Sequence, residues 1–249
     1  MNGLISYGEP PAYFLYRSLA VLGVPHATTT RHFEAISSPS EKAPPFRADA
    51  AATLRRLGLD SERLTYARQV HGAAIATAPT RGGFAGAVDV LVTRERALPL
   101  AIFTADCLAI VACDVGAPAL VVAHVGWRGT VRGAAEAAVK ALGDAGGRPE
   151  QAVVTIAPSI GPCCYEVDDP VITVLRKSYP DLWERWVRAA DPGHFMLDLW
   201  SANEELLVRA GIAADRIENP RVCTACHPEL LYSYRKGNRG RLVTVAALP

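Results

Sequence analysis

A chain of 249 residues, half of them hydrophobic, is long enough to bury one substantial core, and a single domain spanning 1–249 is the expectation. Its 26 Lys and Arg are scattered among 25 Asp and Glu for a net charge of +1, leaving no basic stripe to neutralise the phosphates of a nucleic acid. The opening residues MNGLISYGEP have neither a basic start nor an apolar run, and stretches such as Ala117 to Val125 are too short to span a bilayer, so a cytoplasmic protein without membrane insertion is expected.

Pro, Ser and charged residues collect between Ser37 and Arg47 (SSPSEKAPPFR), which reads as a mobile surface loop. From Leu64 to Trp127 short apolar or β-branched runs follow one another: LTYARQVH, VDVLVT, LPLAIFTADC, LAIVACDV and PALVVAHVGW. They read as strands, several continuous enough to be buried on both faces. An Ala-rich helix is predicted from Val131 to Leu142, closed by Gly143 and Gly146-Gly147. A strand from Ala152 to Ala157, helices at Pro170 to Ser178 and Leu199 to Ala210, and strands near Leu231 to Tyr234 and Leu242 to Ala246 complete the pattern. The class is α+β or layered α/β, with no Gly-x-Gly-x-x-Gly or Walker sequence after a strand.

Three segments place a metal-competent residue at the end of an apolar strand: Gln69-Val70-His71-Gly72, Thr104-Ala105-Asp106-Cys107 and Ala123-His124-Val125-Gly126. Two imidazoles and a thiolate suit zinc or a softer metal, and three protein ligands leave a fourth position for water or substrate. Against this, the spacings match no local ligand motif, and a lone His or Cys in a strand is more often a packed core residue. Asp106, next to Cys107, points to the other strand face, in a supporting role or as a strand-end hydrogen bond.

Trp127-Arg128-Gly129-Thr130 precedes a helix, where free N–H groups favour an anion and Arg128 adds a forked contact; the plainer reading is an exposed Arg with Thr130 as N-cap. Six cysteines in a reducing compartment are thiols, ligands or catalysts rather than disulfides. Cys223-Thr224-Ala225-Cys226-His227 has the form of a haem-attachment motif, which the absence of an export signal argues against, and as a second metal site it lacks further nearby ligands. Cys163 and Cys164 form a vicinal pair, thiols that are buried or line a pocket, and the following Glu166 is an acid or base candidate or a solvated surface carboxylate.

QVHG, TADCLAI, HVGWRGT and IGPCCYEV, in this order, resemble the YfiH family, also called the laccase-domain or multicopper polyphenol oxidase-like family. VDVLVT, Leu197-Asp198-Leu199-Trp200 with Asn203, Cys223-Thr224, Tyr232-Ser233-Tyr234-Arg235 and Gly240-Arg241 resemble its other motifs, so the likeness runs from about Thr28 to Ala246. Thr30-Arg31 matches the family's Thr-Arg, but HFEAISSPSEKAPPF replaces the Gly-Gly-x-Ser and Asn-Leu that usually follow.

The resemblance implies a four-layer α/β/β/α sandwich and a zinc held by His71, Cys107 and His124, with copper as the alternative metal. It implies phosphorolysis of adenosine, inosine, guanosine and methylthioadenosine, with adenosine deamination besides, so the partners are purine nucleosides and phosphate. Cys107, His124 and Glu166 are then the catalytic candidates, and Arg31, Arg128 and Cys164 the substrate-binding ones. Counting argues against conventional laccase chemistry, because multicopper oxidases need about ten histidines, many as His-x-His pairs, and this chain has six and no such pair. A weak copper-dependent oxidation of phenols at the same three-ligand site is a further alternative. The rival reading is a metal-free Cys107/His124 hydrolase acting on amides, including peptidoglycan precursors, in which His71 is dispensable.

Overall fold

The longest apolar runs become the longest strands and form the centre of the molecule. The computed structural model describes residues 3–36 and 44–249. Its strands, in chain order, are β1 (Leu4–Tyr7), β2 (Tyr13–Tyr16), β3 (His26–Thr29), β4 (Thr65–Tyr66), β5 (Ile75–Thr77), β6 (Gly83–Phe84), β7 (Val90–Thr93), β8 (Leu100–Thr104), β9 (Leu108–Asp114), β10 (Ala119–Val125), β11 (Val153–Ile156), β12 (Glu166–Asp168), β13 (Val187–Ala189), β14 (His194–Leu197), β15 (Ile217–Glu218) and β16 (Leu242–Ala246). The α-helices are α1 (Arg17–Val21), α2 (Ala51–Arg56), α3 (Trp127–Val131), α4 (Ala134–Asp144), α5 (Asp169–Ser178) and α6 (Leu199–Arg209).

Two mixed sheets dominate. The first runs β1-β2-β3-β16-β8-β4-β6 and the second β15-β11-β9-β10-β7-β5, while β12-β14-β13 make a small third sheet. In the second sheet β9 and β10 form an antiparallel hairpin with Leu108 opposite Val125 and Asp114 opposite Ala119. Every residue of both strands is buried.

Because side chains alternate across a strand, these continuous apolar runs feed two cores at once. Leu108, Ile110, Val121, Ala123 and Val125 pack on one side with Ala138, Leu142, Leu206 and Leu207 of α4 and α6. Their alternates Ala109, Val111, Leu120 and Val122 meet Leu100, Ile102 and Leu242 of the first sheet. The first sheet's other face, including Ala101, Phe103, Val243 and Val245, packs on Leu54 of α2 and Leu59. The two sheets therefore lie face to face with helices against their outer sides, a mixed α/β arrangement. Each fully buried Leu or Ile stabilises it by roughly 1.5–3 kcal/mol.

The structure departs from the sequence reading in four places. The predicted helix from Val131 to Leu142 is two helices, broken at Gly133, whose φ of 77° lies in the left-handed region that glycine tolerates. Leu231 to Tyr234 is not a strand. Ser233 and Asn238 hold it in a turn, with the Asn238 N–H donating to the Ser233 carbonyl (3.0 Å) and the Ser233 N–H to Asn238 Oδ1 (3.1 Å). LTYARQVH supplies only the two-residue β4 before turning away to carry His71. Of the loop predicted at Ser37 to Arg47, residues 37–43 lie outside the described residues; Phe46 is buried edge-on against Phe33, an anchor rather than a loop tip.

Candidate active site

His71, Cys107 and His124 reach one point from three strand ends at the seam between the sheets. His124 has the register of Leu120 and Val122 on β10, so its ring faces the inter-sheet side and is 3% exposed. Cys107 sits in the turn joining β8 to β9, after Asp106, which adopts a φ of 93°. His71 follows β4 and has a φ of 57°. Left-handed backbone at two non-glycine residues costs on the order of 1–3 kcal/mol each and persists only where surroundings enforce it.

The enforcing groups are visible. The Gln69 side-chain amide pairs with the backbone of Phe103, donating to its carbonyl (2.6 Å) and accepting from its N–H (2.8 Å), as a strand neighbour would. The Val70, His71 and Gly72 N–H groups then all donate to the Asp89 carboxylate, at 3.2, 2.9 and 2.7 Å. Asp89 is fully buried and its Oδ1 also lies 2.8 Å from His124 Nδ1, which leaves Nε2 of that imidazole to face the site. One carboxylate thus orients both imidazoles. Asp106 instead ties distant segments together, accepting from Thr224 Oγ1 (2.6 Å) and the Arg235 N–H (2.8 Å).

One donor atom from each of His71, Cys107 and His124 lies within 4.8 Å of the others, and the two rings meet edge to face at 4.8 Å. A Cβ at Gly126 would stand 2.7 Å from Cys107 Sγ and 3.5 Å from His71 Cδ2, so the backbone closes over the three donors. Two nitrogens and a sulfur, with both imidazole and thiolate character available, fit a zinc or copper ion. Electrostatics agree. Burial opposes the Cys107 thiolate, but hydrogen bonds from His124 and His71 outweigh it and bring the thiol down to about 7. Burial likewise opposes the His124 imidazolium, yet Asp89 and Cys107 push it up to about 9.

These donors open into a cavity of about 820 Å³. Tyr66, Phe84, Phe103, Trp127, Tyr165 and Tyr234 supply aromatic wall, and Arg68, Arg128, Arg235 and Arg241 supply cationic lining. Arg128 stacks on Trp127 at 4.4 Å and Arg235 on Tyr165 at 5.3 Å. Thr130 is not the N-cap of its helix. Gly126 takes that place, and buried Thr130 donates to the Gly126 carbonyl (3.1 Å) and accepts from the Asn203 amide (3.0 Å).

A residue-level match to the laccase-domain model, described as "Multi-copper polyphenol oxidoreductase laccase", covers 41–249. The chain belongs to this family. Among laccase-domain relatives, purine nucleoside phosphorylase YlmD of Geobacillus stearothermophilus is 37% identical over 213 residues, 79% of this chain and 78% of that one. Adenosine deaminase RL5, from an unknown prokaryotic organism, is 34% identical over 209 residues, 79% of each chain. The crystal structure of Bacillus licheniformis YfiH, titled a hypothetical protein, superposes with a TM-score of 0.87 at 26% identity over the whole of both chains. Both curated relatives are named for enzymes acting on purine nucleosides. Among the described residues no helix is long and apolar enough to cross a membrane.

Three residues expected at the pocket line other surfaces. Glu166 begins β12, whose core-facing residue is Val167, so its carboxylate points outward and lies 2.9 Å from His194 Nδ1. Cys164 belongs to a turn closed by the Cys164 and Tyr165 N–H groups on the Gly161 carbonyl; Tyr165 faces the cavity, while Cys164 Sγ lies 3.5 Å from Cys226 Sγ. Arg31 turns toward residues 228–232, donating to the Pro228 carbonyl with its guanidinium over Tyr232. Conversely, the sequence reading gave no role to Asp89. Its signal was a carboxylate directly preceding the apolar run Val90 to Val92.

Proposed function

We propose that this chain is a zinc-dependent purine nucleoside phosphorylase, taking adenosine, inosine, guanosine and methylthioadenosine, with adenosine deamination as a side activity. The observation that carries the reading is the His71, Cys107 and His124 donor set opening into an aromatic cavity with arginines in its lining. His71, Cys107 and His124 hold the metal, and copper suits the same donors. When bound, zinc supplies Lewis acidity and lowers the pKa of a water, which deamination requires. Aromatic faces such as Trp127 and Tyr165 suit a flat purine, and Arg128, whose guanidinium is already held by Trp127, suits the phosphate that attacks the ribosyl carbon. Asp89 keeps the His124 ring oriented throughout. The single catalytic domain and the named partners, purine nucleoside and phosphate, follow from this reading.

A second reading has its own support. The low Cys107 thiol and high His124 imidazole describe a thiolate–imidazolium pair, which is the resting form of a cysteine hydrolase. Metal content and adenosine turnover, with and without phosphate, separate the two in wild type, His71→Ala and Cys107→Ala. Phosphate-dependent adenine release, lost with the metal in His71→Ala, supports the phosphorylase. Amide-hydrolysing activity that survives His71→Ala and metal removal but vanishes in Cys107→Ala would replace it with the hydrolase.

A further inference from the structure

Behind the cavity wall two segments distant in sequence bring four thiols together. Ser159 and Cys223 form a parallel β-bridge, the Ser159 N–H donating to the Val222 carbonyl (3.2 Å) and the Thr224 N–H to the Ser159 carbonyl (3.1 Å). Beyond that bridge the first segment turns at Gly161 and the second coils into a 3₁₀ turn, Thr224–Cys226. The Sγ atoms of Cys163, Cys164, Cys223 and Cys226 consequently all lie within 4.8 Å of one another. Cys226 Sγ is 3.5 Å from both Cys163 Sγ and Cys164 Sγ.

Four thiolates at the usual zinc–sulfur distance of about 2.3 Å form a tetrahedron with edges of about 3.8 Å. Two thiol separations of 3.5 Å, with all four atoms within 4.8 Å, suit that edge, and the backbone bonds at Ser159 hold the segments together without help from the cysteines. The Gly161 N–H donates to Cys223 Sγ at 3.3 Å, a bond that favours sulfur in its ligand form. His227, the last residue of the haem-like motif, is turned to Glu229 at 3.5 Å and takes no part. We propose that Cys163, Cys164, Cys223 and Cys226 form a second, closed metal site that holds a structural zinc ion, separate from the donors His71, Cys107 and His124.

Four protein ligands leave no position for substrate, so this ion acts on shape. Tyr165 of the cavity wall adjoins Cys164, and Thr224, between the two C-terminal ligands, bonds Asp106 beside Cys107. The clip therefore braces two parts of the active cavity. The proposal stands independently of the phosphorylase reading, since it concerns metal content alone.

The test is elemental analysis of reduced, tag-free wild type, Cys226→Ser, His71→Ala and the double variant, with circular dichroism to verify folding. Wild type is expected to hold one zinc equivalent more than either single variant, and the double variant none. Cys226 is exposed, so its serine variant disturbs little packing. As a measurement on a chain with all four thiols intact, His71→Ala loaded with cobalt is expected to show the intense near-ultraviolet charge-transfer band of a tetrahedral tetrathiolate ion. The proposal is overturned if Cys226→Ser retains the wild-type zinc content, if cobalt-loaded His71→Ala lacks that band, or if non-reducing peptide mapping finds these cysteines paired as disulfides.

Discussion

Asp89 shows how much of the site depends on a single carboxylate that does not itself line the cavity. Both of its oxygens are committed, to three consecutive backbone N–H groups and to His124. An asparagine there retains one acceptor and turns an NH₂ toward groups that also donate, so Asp89→Asn must abandon part of the His71 turn or the His124 contact. The expected result is zinc affinity weaker by about 10–100-fold, as for other outer-shell partners of metal ligands, with the His124 titration in metal-free protein moved below that of wild type. Competition titration and NMR measure the two effects; unchanged affinity would mean that the imidazoles are oriented by packing alone. The three donors stood out as candidates in the sequence because each was read near a strand end with a residue of metal-binding type, but their spacing matched no ligand motif and it was the family resemblance that grouped them. Asp89 was not, since its importance comes from groups 17–35 residues away that converge only in the fold. The same reason hid the meeting of Cys163 and Cys164 with Cys223 and Cys226, whereas for Glu166 the sequence offered both a functional and a solvated carboxylate, and its outward direction on β12 agrees with the second.

At the scale of elements, the β9–β10 hairpin is fastened by Asp114. Its carboxylate accepts from the Gly116 and Ala117 N–H groups of the turn and from the Arg148 N–H, Nε and Nη2, at 2.9–3.1 Å. Hydrogen bonding from Arg148, opposed by burial and aided by the turn, holds the acid down to about 2. A folded-state pKa below the unfolded value of about 3.9 contributes stability that is complete above about pH 4 and is lost as pH falls toward 2. Because the Arg148 side chain is half exposed, solvent screening reduces the gain, and Asp114→Asn is expected to cost about 1–2 kcal/mol at pH 7. Chemical denaturation of both proteins from pH 7 downward should show the gap closing below pH 4; a gap constant with pH would assign the effect to neutral hydrogen bonding. Both strands of this hairpin were readable as apolar runs, and α5 and α6 were readable as helices. The strands β1 to β3 gave no comparable signal, since they are four residues each and β1 and β2 have mixed burial.

Across the whole molecule, the three donors of the candidate site are drawn from both sheets. His71 follows β4 and Cys107 follows β8 of the first sheet, while His124 belongs to β10 of the second. A metal held by all three therefore spans the inter-sheet core, and its binding free energy adds to the stability of the sheet pair. At zinc concentrations about 1,000 times Kd the added stability is about 4 kcal/mol, which at about 2–4 °C per kcal/mol for a chain of this size raises Tm by roughly 8–16 °C. Binding also requires Cys107 as thiolate and His124 as neutral imidazole. Between about pH 9 and 7 the free site is the thiolate–imidazolium pair, so occupation displaces the His124 proton; below about 7 the Cys107 proton must leave as well. Affinity should thus fall about tenfold per pH unit from 9 to 7 and more steeply below 7, the zinc-dependent rise in Tm shrinking in step. Melting curves of wild type and His71→Ala at pH 6, 7 and 8, with and without added zinc, measure this, because both proteins keep the four-cysteine cluster and differ only at the inter-sheet site. A zinc-dependent rise equal in the two proteins would show that His71 does not help to clamp the sheets.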